Sequence, residues 1–389
     1  MGVLMQAPRV VMTVYGTRPE AIKVAPVIAA IAEDPRLTNS IVVTGQHREM
    51  LDEVNALFNI LPDYDLDIMR HGQTLSQIAA RVLVGLDPIL DRARPDAVMV
   101  QGDTTTSTAA ALAAFHREIP VIHLEAGLRS HDIASPFPEE ANRRITSQVA
   151  ALHLAPTSSS KANLLREGID EASIVVTGNT VIDALQTTVN KALAFDDEAL
   201  TAVAQSDRRV VLVTAHRRES WGEAMEGIGR ALGKLAQQHP DVTFVLPAHR
   251  NPVVREAVLP LISALQNVLV LEPLPYGQFA RLLERAYLVL TDSGGVQEEA
   301  PSLGTPVLVM RENTERAEAV HAGTVRLIGT SEQRIVDEVD HLLDDQEHYA
   351  SMANATNPYG DGQAAARAVA AILQHAGLGT RLPDFAVRP

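Results

Sequence analysis

The chain has 389 residues, more than one hydrophobic core usually serves, so its length predicts two domains. Its 33 basic against 48 acidic residues give a net charge of −15, which argues against nucleic acid and anionic membranes as partners. Cysteine is absent and no apolar stretch approaches the roughly 20 residues of a membrane span, so disulfides and thiolate sites are excluded and we expect a soluble cytoplasmic protein.

The first half of the chain alternates short apolar strands with amphipathic helices. The predicted strand and helix pairs are residues 9–15 with 20–33, 41–44 with 49–58, 96–100 with 104–117, and 121–124 with 139–149. This alternation predicts a parallel sheet with helices on both faces.

The pattern restarts after a predicted helix at 181–193 and an acidic stretch near Asp196. The second set comprises strands at 209–214, 242–246, 268–271, 288–291 and 307–310 and a helix at 224–237. We therefore predict an α/β protein with two Rossmann-like, doubly wound domains at 1–182 and 183–362 and a cleft between them. In this division, residues 363–389 form a C-terminal helix that packs back on the first domain, plus a tail.

Polar residues follow several of these strands. The loops are residues 16–18, 102–106, 125–129, 215–219 and 292–295. Ligands of open α/β sheets bind beyond the carboxyl ends of the strands, so these loops predict a cleft suited to a nucleotide-linked ligand.

The loop beginning at Asp292 is rich in glycine and leads into a helix. Gly294 and Gly295 would let phosphate oxygens approach backbone N–H groups, and Glu299 would add a carboxylate for ribose hydroxyls. The alternative is a tight turn with Ser293 as the helix cap. No G-x-G-x-x-G follows a strand and no P-loop sequence occurs, so we expect neither a tightly held NAD nor another cofactor.

Three carboxyl groups follow or lie near successive strands: Asp103, Glu125 and Glu139. In a pocket that excludes water, carboxyl groups have raised pKa values and can transfer protons near neutral pH. Asp103 has an alternative role, because an aspartate before a run of threonines is a good helix cap. The spacing matches no known His/Asp metal cluster, so we expect no metal.

Basic side chains also lie at strand ends. Arg18 and Lys23 flank the start of the first helix, where Arg18 would bind a phosphate or form a surface salt bridge with Glu20. His216 follows a valine-rich strand beside two arginines, a setting that favours the neutral ring and contact with a sugar phosphate. The alternative is a capping or hydrogen-bonded histidine.

Several longer strings occur in order over nearly the whole chain. They are GTRPEAIK (16–23), QHREML (46–51), QGDTTTS (101–107), HLEAGLRS (123–130), FPEEANRR (137–144), TGNTVIDAL (177–185), TAHRRES (214–220), DSGGVQEEAPSLGTPVLVMR (292–311) and TER (314–316). Together they resemble the non-hydrolysing UDP-N-acetylglucosamine 2-epimerases. The resemblance implies a GT-B-type fold, a homodimer, no metal and no NAD, and a role in cell envelope polysaccharide biosynthesis.

The resemblance also implies a reaction. UDP-N-acetylglucosamine would lose UDP and its C2 proton to give 2-acetamidoglucal, and UDP would add back as C2 is protonated on the other face, giving UDP-N-acetylmannosamine. The residues that match the family's catalytic positions are Asp103, Glu125, Glu139, His216 and Arg18; those that match substrate-binding positions are Lys23, Arg143, Phe279, Ser293, Gly294, Gly295, Glu299 and Arg316. Which carboxyl group serves which face of the sugar stays open.

A second UDP-sugar site, at which the substrate activates the enzyme, is implied as well. The residues in strings resembling that region are Gln46, His47, Arg48, Met50, Arg70 and His249. One position departs from the family, because Ala317 stands where proline is usual, and the loss of a fixed φ would loosen the loop that presents Arg316.

Three other functions are compatible with the same motifs. A GT-B glycosyltransferase would share the fold and the nucleotide-sugar pocket, but it would require an acceptor. A hydrolysing epimerase would release free N-acetylmannosamine and UDP. A catalytically silent UDP-sugar sensor would bind the ligand and leave it unchanged.

Overall fold

The computed structural model describes residues 7–45 and 48–387 of the chain. These residues form two compact units, one comprising the described residues up to Ala184 together with Tyr359–Ala386, the other Leu185–Pro358. Within the described part of the chain, no helix is both long and apolar enough to cross a membrane.

The first unit contains a parallel sheet of seven strands. They are β1 (Arg9–Tyr15), β2 (Leu37–Val43), β3 (Tyr64–Asp65), β4 (Ala97–Gln101), β5 (Val121–Leu124), β6 (Leu152–Ala155) and β7 (Ile174–Val176), in the order β3-β2-β1-β4-β5-β6-β7. The helices are α1 (Arg18–Glu33), α2 (Arg48–Leu57), α3 (Leu75–Ala93), α4 (Thr105–Phe115), α5 (Glu139–Val149) and α6 (Ser158–Arg166), with α7 (Thr180–Asn190) at the end of this part of the chain.

The second unit repeats this plan with six parallel strands. They are β8 (Val210–Thr214), β9 (Thr243–Pro247), β10 (Val268–Leu271), β11 (Leu288–Thr291), β12 (Val307–Val309) and β13 (Val325–Leu327), in the order β10-β9-β8-β11-β12-β13. Its helices are α8 (Glu198–Gln205), α9 (Glu223–Gln238), α10 (Pro252–Ile262), α11 (Tyr276–Arg285), α12 (Gly294–Glu299), α13 (Ala317–His321), α14 (Glu332–Asp344) and α15 (Gln346–Ala353). The last helix, α16 (Ala364–His375), belongs to the first unit and packs on α1.

The central strands of both sheets are buried on both faces, as their continuous apolar sequences require. In the first unit, Met12 and Val14 of β1 pack in one core with Val82 and Leu86 of α3. Alanines dominate the buried face of α4, which lets this helix lie against both α3 and α5. The start of α4 is thereby fixed at the carboxyl edge of the sheet, directly after Asp103.

Several predicted elements have the bounds that the structure shows. These are Arg9–Tyr15, Val121–Leu124, Val268–Leu271, Leu288–Thr291 and the helix Glu139–Val149. The first helix begins at Arg18, two residues before the predicted start. Thr17 is its cap, and the Glu20 side chain accepts the Thr17 N–H, which closes the first turn earlier than the apolar pattern indicated.

Candidate active site

The strand order reverses once in each sheet, between β1 and β4 in the first unit and between β8 and β11 in the second. Loops that leave such a switch point diverge to opposite faces of the sheet, and the crevice between them is where open α/β sheets bind ligands. The predicted residues Arg18 and Asp103 follow β1 and β4, and His216 and Ser293 follow β8 and β11. Each unit therefore carries its own set of candidate residues at its own switch point.

Glu125 follows β5 and is held by a lysine. Lys23 Nζ lies 2.6 Å from both carboxylate oxygens of Glu125, and the two side chains are only 15% and 7% exposed. The Gln101 side-chain amide donates to the same carboxylate. Glu125 itself has a φ of 66°, an unusual backbone conformation for a residue with a side chain. Two of the predicted residues are therefore brought into direct contact.

Asp103 forms a second ion pair, with Arg143 of α5. The distance from Arg143 Nη2 to Asp103 Oδ2 is 2.6 Å. The alternative role of Asp103 as a helix cap is wrong, because α4 begins at Thr105 and Thr104 caps it by accepting the Ser107 N–H. The Asp103 carboxylate is therefore available for another role.

Arg143 is also steered by a fully buried carboxylate on its own helix. Glu140 accepts hydrogen bonds from Arg143 Nη1 at 3.4 Å, from Arg144 Nε at 3.1 Å and from the Ser130 N–H at 3.0 Å. Burial raises the pKa of Glu140, but the Ser130 N–H and the neighbouring arginines outweigh it and lower the pKa overall. The ionised Glu140 thus aims Arg143 while leaving its Nη2 for Asp103.

Arg18 and Glu139 have a different setting. Each is the first residue of its helix, α1 or α5, and each is half-buried. Among the residues that the structure describes, neither side chain has a hydrogen-bond or ion-pair partner. The predicted alternative salt bridge between Arg18 and Glu20 is not formed, because the Glu20 carboxylate binds backbone N–H groups and a hydroxyl instead.

The second unit places His216 against a buried aspartate. Asp292 Oδ2 accepts the backbone N–H groups of His216 and Arg217, both at 2.7 Å, and His216 Nδ1 lies 3.1 Å from Asp292 Oδ1. Burial raises the pKa of Asp292, but the His216 ring and the two N–H groups outweigh it, so the pKa is lowered. Asp292 therefore holds the backbone of the His216 loop and lies beside the His216 ring.

The glycine-rich loop ends at the start of α12. Ser293 is the cap residue, but its side chain makes no cap hydrogen bond. A methyl group at Gly294 would lie 3.1 Å from the Arg316 guanidinium carbon, so Arg316 passes directly over this glycine. Gly295 is exposed. This gives backbone N–H groups and a guanidinium together at one helix N-terminus, a geometry that binds anions.

Arg316 is itself anchored by a buried carboxylate. Its Nε donates to Glu298 Oε1 at 2.9 Å, and Glu298 is 1% exposed. Arg316 is the cap of α13, and Ala317 is the first residue of that helix. Proline is tolerated at this first helical position, and alanine is equally compatible with a helix there.

Glu299 and Phe279 lie further along the same edge of the second unit. Glu299 Oε1 accepts the hydroxyl of Tyr276 at 2.9 Å, and both side chains are buried. Phe279 is half-buried on α11, one turn after Tyr276. The hydrogen bond from Tyr276 therefore orients the Glu299 carboxylate.

The candidates for a second site are more exposed. Arg48 pairs with Asp52 and Asp65, Arg70 Nη1 donates to the Met69 carbonyl at 2.7 Å, and Met50 is 44% exposed. Gln46 and His47 lie outside the described residues. His249 stacks on His216 with ring centroids 5.6 Å apart. Burial, and then the nearby His216, lowers the pKa of His249.

Some residues that shape the site were not predicted as site residues, among them Gln101, Glu140 and Tyr276. Gln101 and Tyr276 act on predicted residues from other elements, and Glu140 acts on Arg143 of its own helix. Gln101 and Glu140 do lie inside the strings QGDTTTS and FPEEANRR, which was the available signal. Across residues 7–45 and 48–387, no cluster of three or more His, Asp and Glu side chains is placed to hold a metal ion.

Comparisons with known proteins agree in one family. The family model described as UDP-N-acetylglucosamine 2-epimerase matches residues 29–373. The UDP-N-acetylglucosamine 2-epimerase of Escherichia coli strain K12 is 53% identical over 367 residues, which are 93% of this chain and 98% of the relative.

Solved structures show the same likeness. The crystal structure of UDP-GlcNAc 2-epimerase from Neisseria meningitidis bound to UDP-GlcNAc matches with a TM-score of 0.85 and 47% identity, over 94% of this chain and 100% of that chain. The Methanocaldococcus jannaschii enzyme in complex with UDP-GlcNAc and UDP matches with a TM-score of 0.77 and 33% identity, over 94% of this chain and 99% of that chain. The predicted α/β fold with two Rossmann-like domains of the GT-B type is confirmed.

Proposed function

The chain belongs to the UDP-N-acetylglucosamine 2-epimerase family, and we propose that it interconverts UDP-N-acetylglucosamine and UDP-N-acetylmannosamine without hydrolysing either. One observation carries the proposal: two acids at the carboxyl edge of the first sheet, Glu125 and Asp103, are each paired with a cation at 2.6 Å. Inversion at C2 requires proton transfer on both faces of the sugar ring, and this arrangement supplies more than one carboxyl group.

The proposed reaction is an elimination followed by an addition. The anomeric C1–O bond breaks and its electron pair leaves with UDP, while a carboxylate takes the C2 proton and the C2–H electrons form the C1–C2 double bond of 2-acetamidoglucal. UDP then attacks C1 as a second carboxyl group protonates C2 on the opposite face. The C2–H is barely acidic in the ground state, but positive character at C1 in the transition state acidifies it.

The first unit supplies the proton-transfer groups in this proposal. Glu125, Asp103 and Glu139 are the candidate acids and bases, and Lys23 and Arg143 hold the first two in place. Because both cations are already bound to carboxylates, a negatively charged substrate would meet two neutralised pairs rather than bare carboxylates. This lowers the electrostatic penalty of bringing a diphosphate near the acids.

The second unit supplies the diphosphate and nucleoside contacts. The N-terminus of α12, with Ser293, Gly294 and Gly295, and the guanidinium of Arg316 would bind the diphosphate, which carries most of the ligand's charge. Glu299 would accept ribose hydroxyls and Phe279 would stack on uracil. His216 and Arg18 would stabilise the charge that develops on UDP as it leaves.

Regulation and assembly are further parts of the proposal. We propose a second UDP-sugar site that involves Arg48, Met50, Arg70 and His249, and a homodimer. The rings of His249 and His216 are stacked with centroids 5.6 Å apart, and this proximity supports communication between the two sites. Velocity should be sigmoidal with UDP-N-acetylmannosamine and become hyperbolic with a trace of UDP-N-acetylglucosamine; hyperbolic kinetics without the additive would refute activation.

The decisive experiment is incubation with UDP-N-acetylglucosamine alone in deuterated water, followed by proton NMR. We expect UDP-N-acetylmannosamine and loss of the C2 proton signal from both sugars, since the returning hydrogen comes from solvent. Free N-acetylmannosamine with UDP would indicate a hydrolysing enzyme. Retention of the C2 proton in an unchanged substrate would reject epimerisation and leave a glycosyltransferase, tested by adding sugar acceptors, or a sensor.

A further inference from the structure

A buried carboxylate joins the two loops at the switch point of the first unit. Glu20 is 2% exposed, and its Oε2 accepts the backbone N–H groups of Gly16 at 2.9 Å and Thr17 at 2.8 Å. Its Oε1 accepts the hydroxyl of Thr104 at 2.6 Å. Glu20 thus connects the loop after β1 with the loop after β4.

These contacts exceed what a helix cap needs. A capping box requires only that the Glu20 side chain return to the Thr17 N–H, and the bonds to Gly16 and Thr104 are additional. Thr104 serves two partners at once, because its oxygen also accepts the Ser107 N–H at 3.0 Å. The same hydroxyl therefore caps α4 and ties it to α1.

The location of Glu20 is costly for a carboxylate. Within the described chain it has no ion-pair partner, and burial raises its pKa above the ordinary value despite its hydrogen bonds. Burying an acid among neutral donors stabilises a fold less than apolar packing of the same volume would. A geometric role explains its presence better than stability does.

We propose that Glu20 is a positioning residue that acts through Thr104 to hold Arg18 and Asp103 at a fixed separation. Arg18 lies two residues before Glu20 on α1, and Asp103 directly precedes Thr104. The packing leaves little slack, since a methyl group at Gly16 would lie 2.1 Å from Thr44 Oγ1. The inference rests on the proposed epimerase activity, in which both of these side chains take part.

The test replaces Thr104 and compares it with a matched helix cap. Thr157 caps α6 in the same unit and contacts Ser160 N at 3.1 Å and Ser160 Oγ at 3.0 Å, just as Thr104 contacts Ser107 N at 3.0 Å and Ser107 Oγ at 3.4 Å. Thr104→Val and Thr157→Val each remove one such cap. Only Thr104→Val also cuts the link to Glu20, and Thr104→Ser retains it.

We expect Thr104→Val to lower kcat about 10-fold with KM for UDP-N-acetylglucosamine within about 2-fold, because misplaced groups lose transition-state rather than ground-state contacts. Thr157→Val should keep the wild-type kcat, although its Tm should fall by about as much as that of Thr104→Val. Thr104→Ser should have a kcat close to that of the wild type. Equal kcat in the two valine variants, or a change in KM alone, would overturn the proposal.

Hydrogen exchange provides a readout that does not depend on activity. The Gly16 and Thr17 amides bond to Glu20, so the peptide that contains them should exchange at least several-fold faster in Thr104→Val than in Thr157→Val. Equal exchange would overturn the link even if the enzyme is active. If the wild-type protein does not epimerise its substrate, the proposed function fails, while this exchange comparison still decides whether Glu20 joins the loops.

Discussion

The switch points of the two sheets have the same arrangement of loops but use different residues to connect them. In each sheet the loops diverge, and in each a buried carboxylate bridges them: Glu20 at 2% exposure in the first unit and Asp292 at 0% in the second. Among the residues that the structure describes, Glu20 binds neutral donors alone, and burial raises its pKa. Asp292 has the His216 ring beside it, and its pKa is lowered.

The difference shows how one fold supports two kinds of chemistry. The first switch point presents carboxylates paired with cations, Glu125 with Lys23 and Asp103 with Arg143, which suits proton transfer. The second presents a helix N-terminus beneath the Arg316 guanidinium, which suits the binding of an anion. Substitutions in the two units should therefore fail in different ways, the first in kcat and the second in UDP affinity.

The largest effect is expected for Glu125→Gln. An amide cannot carry the proton, so kcat should fall by a factor of about 10²–10⁴ with little change in UDP affinity. Initial rates and calorimetric UDP titration measure the two quantities. A fall in UDP affinity alone would show that the two units do not divide the chemistry in this way.

The matched control is Glu167→Gln in the same unit. Glu167 binds the fully buried Arg129 through two hydrogen bonds of 2.8 Å, a structural pair. Replacing it should lower Tm by several degrees, because the buried Arg129 guanidinium loses the negative charge and one of the two acceptor oxygens that it binds. The kcat should stay nearly unchanged. Glu125→Gln weakens the buried pair with Lys23 and should lower Tm as well, so the loss in kcat distinguishes the two variants.

A middle-sized effect is expected in the second unit for Gly294→Ala. The added methyl group would lie 3.1 Å from the Arg316 guanidinium and crowd the N–H groups at the start of α12. We expect the Kd for UDP to rise about 10-fold, a loss of about 1.4 kcal/mol. Gly227→Ala on α9 is the control, since its nearest contact is the Thr330 carbonyl at 3.5 Å, and UDP should bind it normally. Equal affinities would place the diphosphate elsewhere.

The smallest effects are expected on Tm, when each of the two bridging carboxylates, Asp292 and Glu20, is replaced by its amide. At neutral pH, Asp292→Asn should lower Tm by a few degrees, because a lowered pKa means that folding favours the ionised form. Glu20→Gln should keep or raise Tm, because a raised pKa means that folding opposes ionisation. Thermal melts at several pH values measure both.

The pH dependence gives the two substitutions opposite signs. The contribution of Asp292 is lost as pH falls through its lowered pKa, so the deficit of Asp292→Asn should shrink in acid. The penalty on Glu20 grows as pH rises through its raised pKa, so any gain from Glu20→Gln should increase with pH. If Tm changed with pH in the same way in both variants, the two carboxylates would not differ in the direction of their pKa shifts.

Much of the architecture could be predicted from the sequence, because runs of apolar residues mark most of the strands. β1 and β5 were predicted to the residue. The strands that were not predicted are β3 with two residues, β7 and β13 with three and β6 with four. So few residues carry little periodicity, although β12, with three residues, was predicted from its apolar run.

The sequence by itself determined the family, the repeated βα plan and the strand-end loops that carry the site, because these properties are written locally, in apolar periodicity and in contiguous motifs. Only the tertiary structure decided the partners within the site. Lys23 meets Glu125 across 102 positions, Glu20 meets Thr104 across 84, and Asp292 meets His216 across 76. Such contacts depend on which strands lie side by side, and a parallel sheet brings together loops whose separation along the chain carries no sign of their proximity.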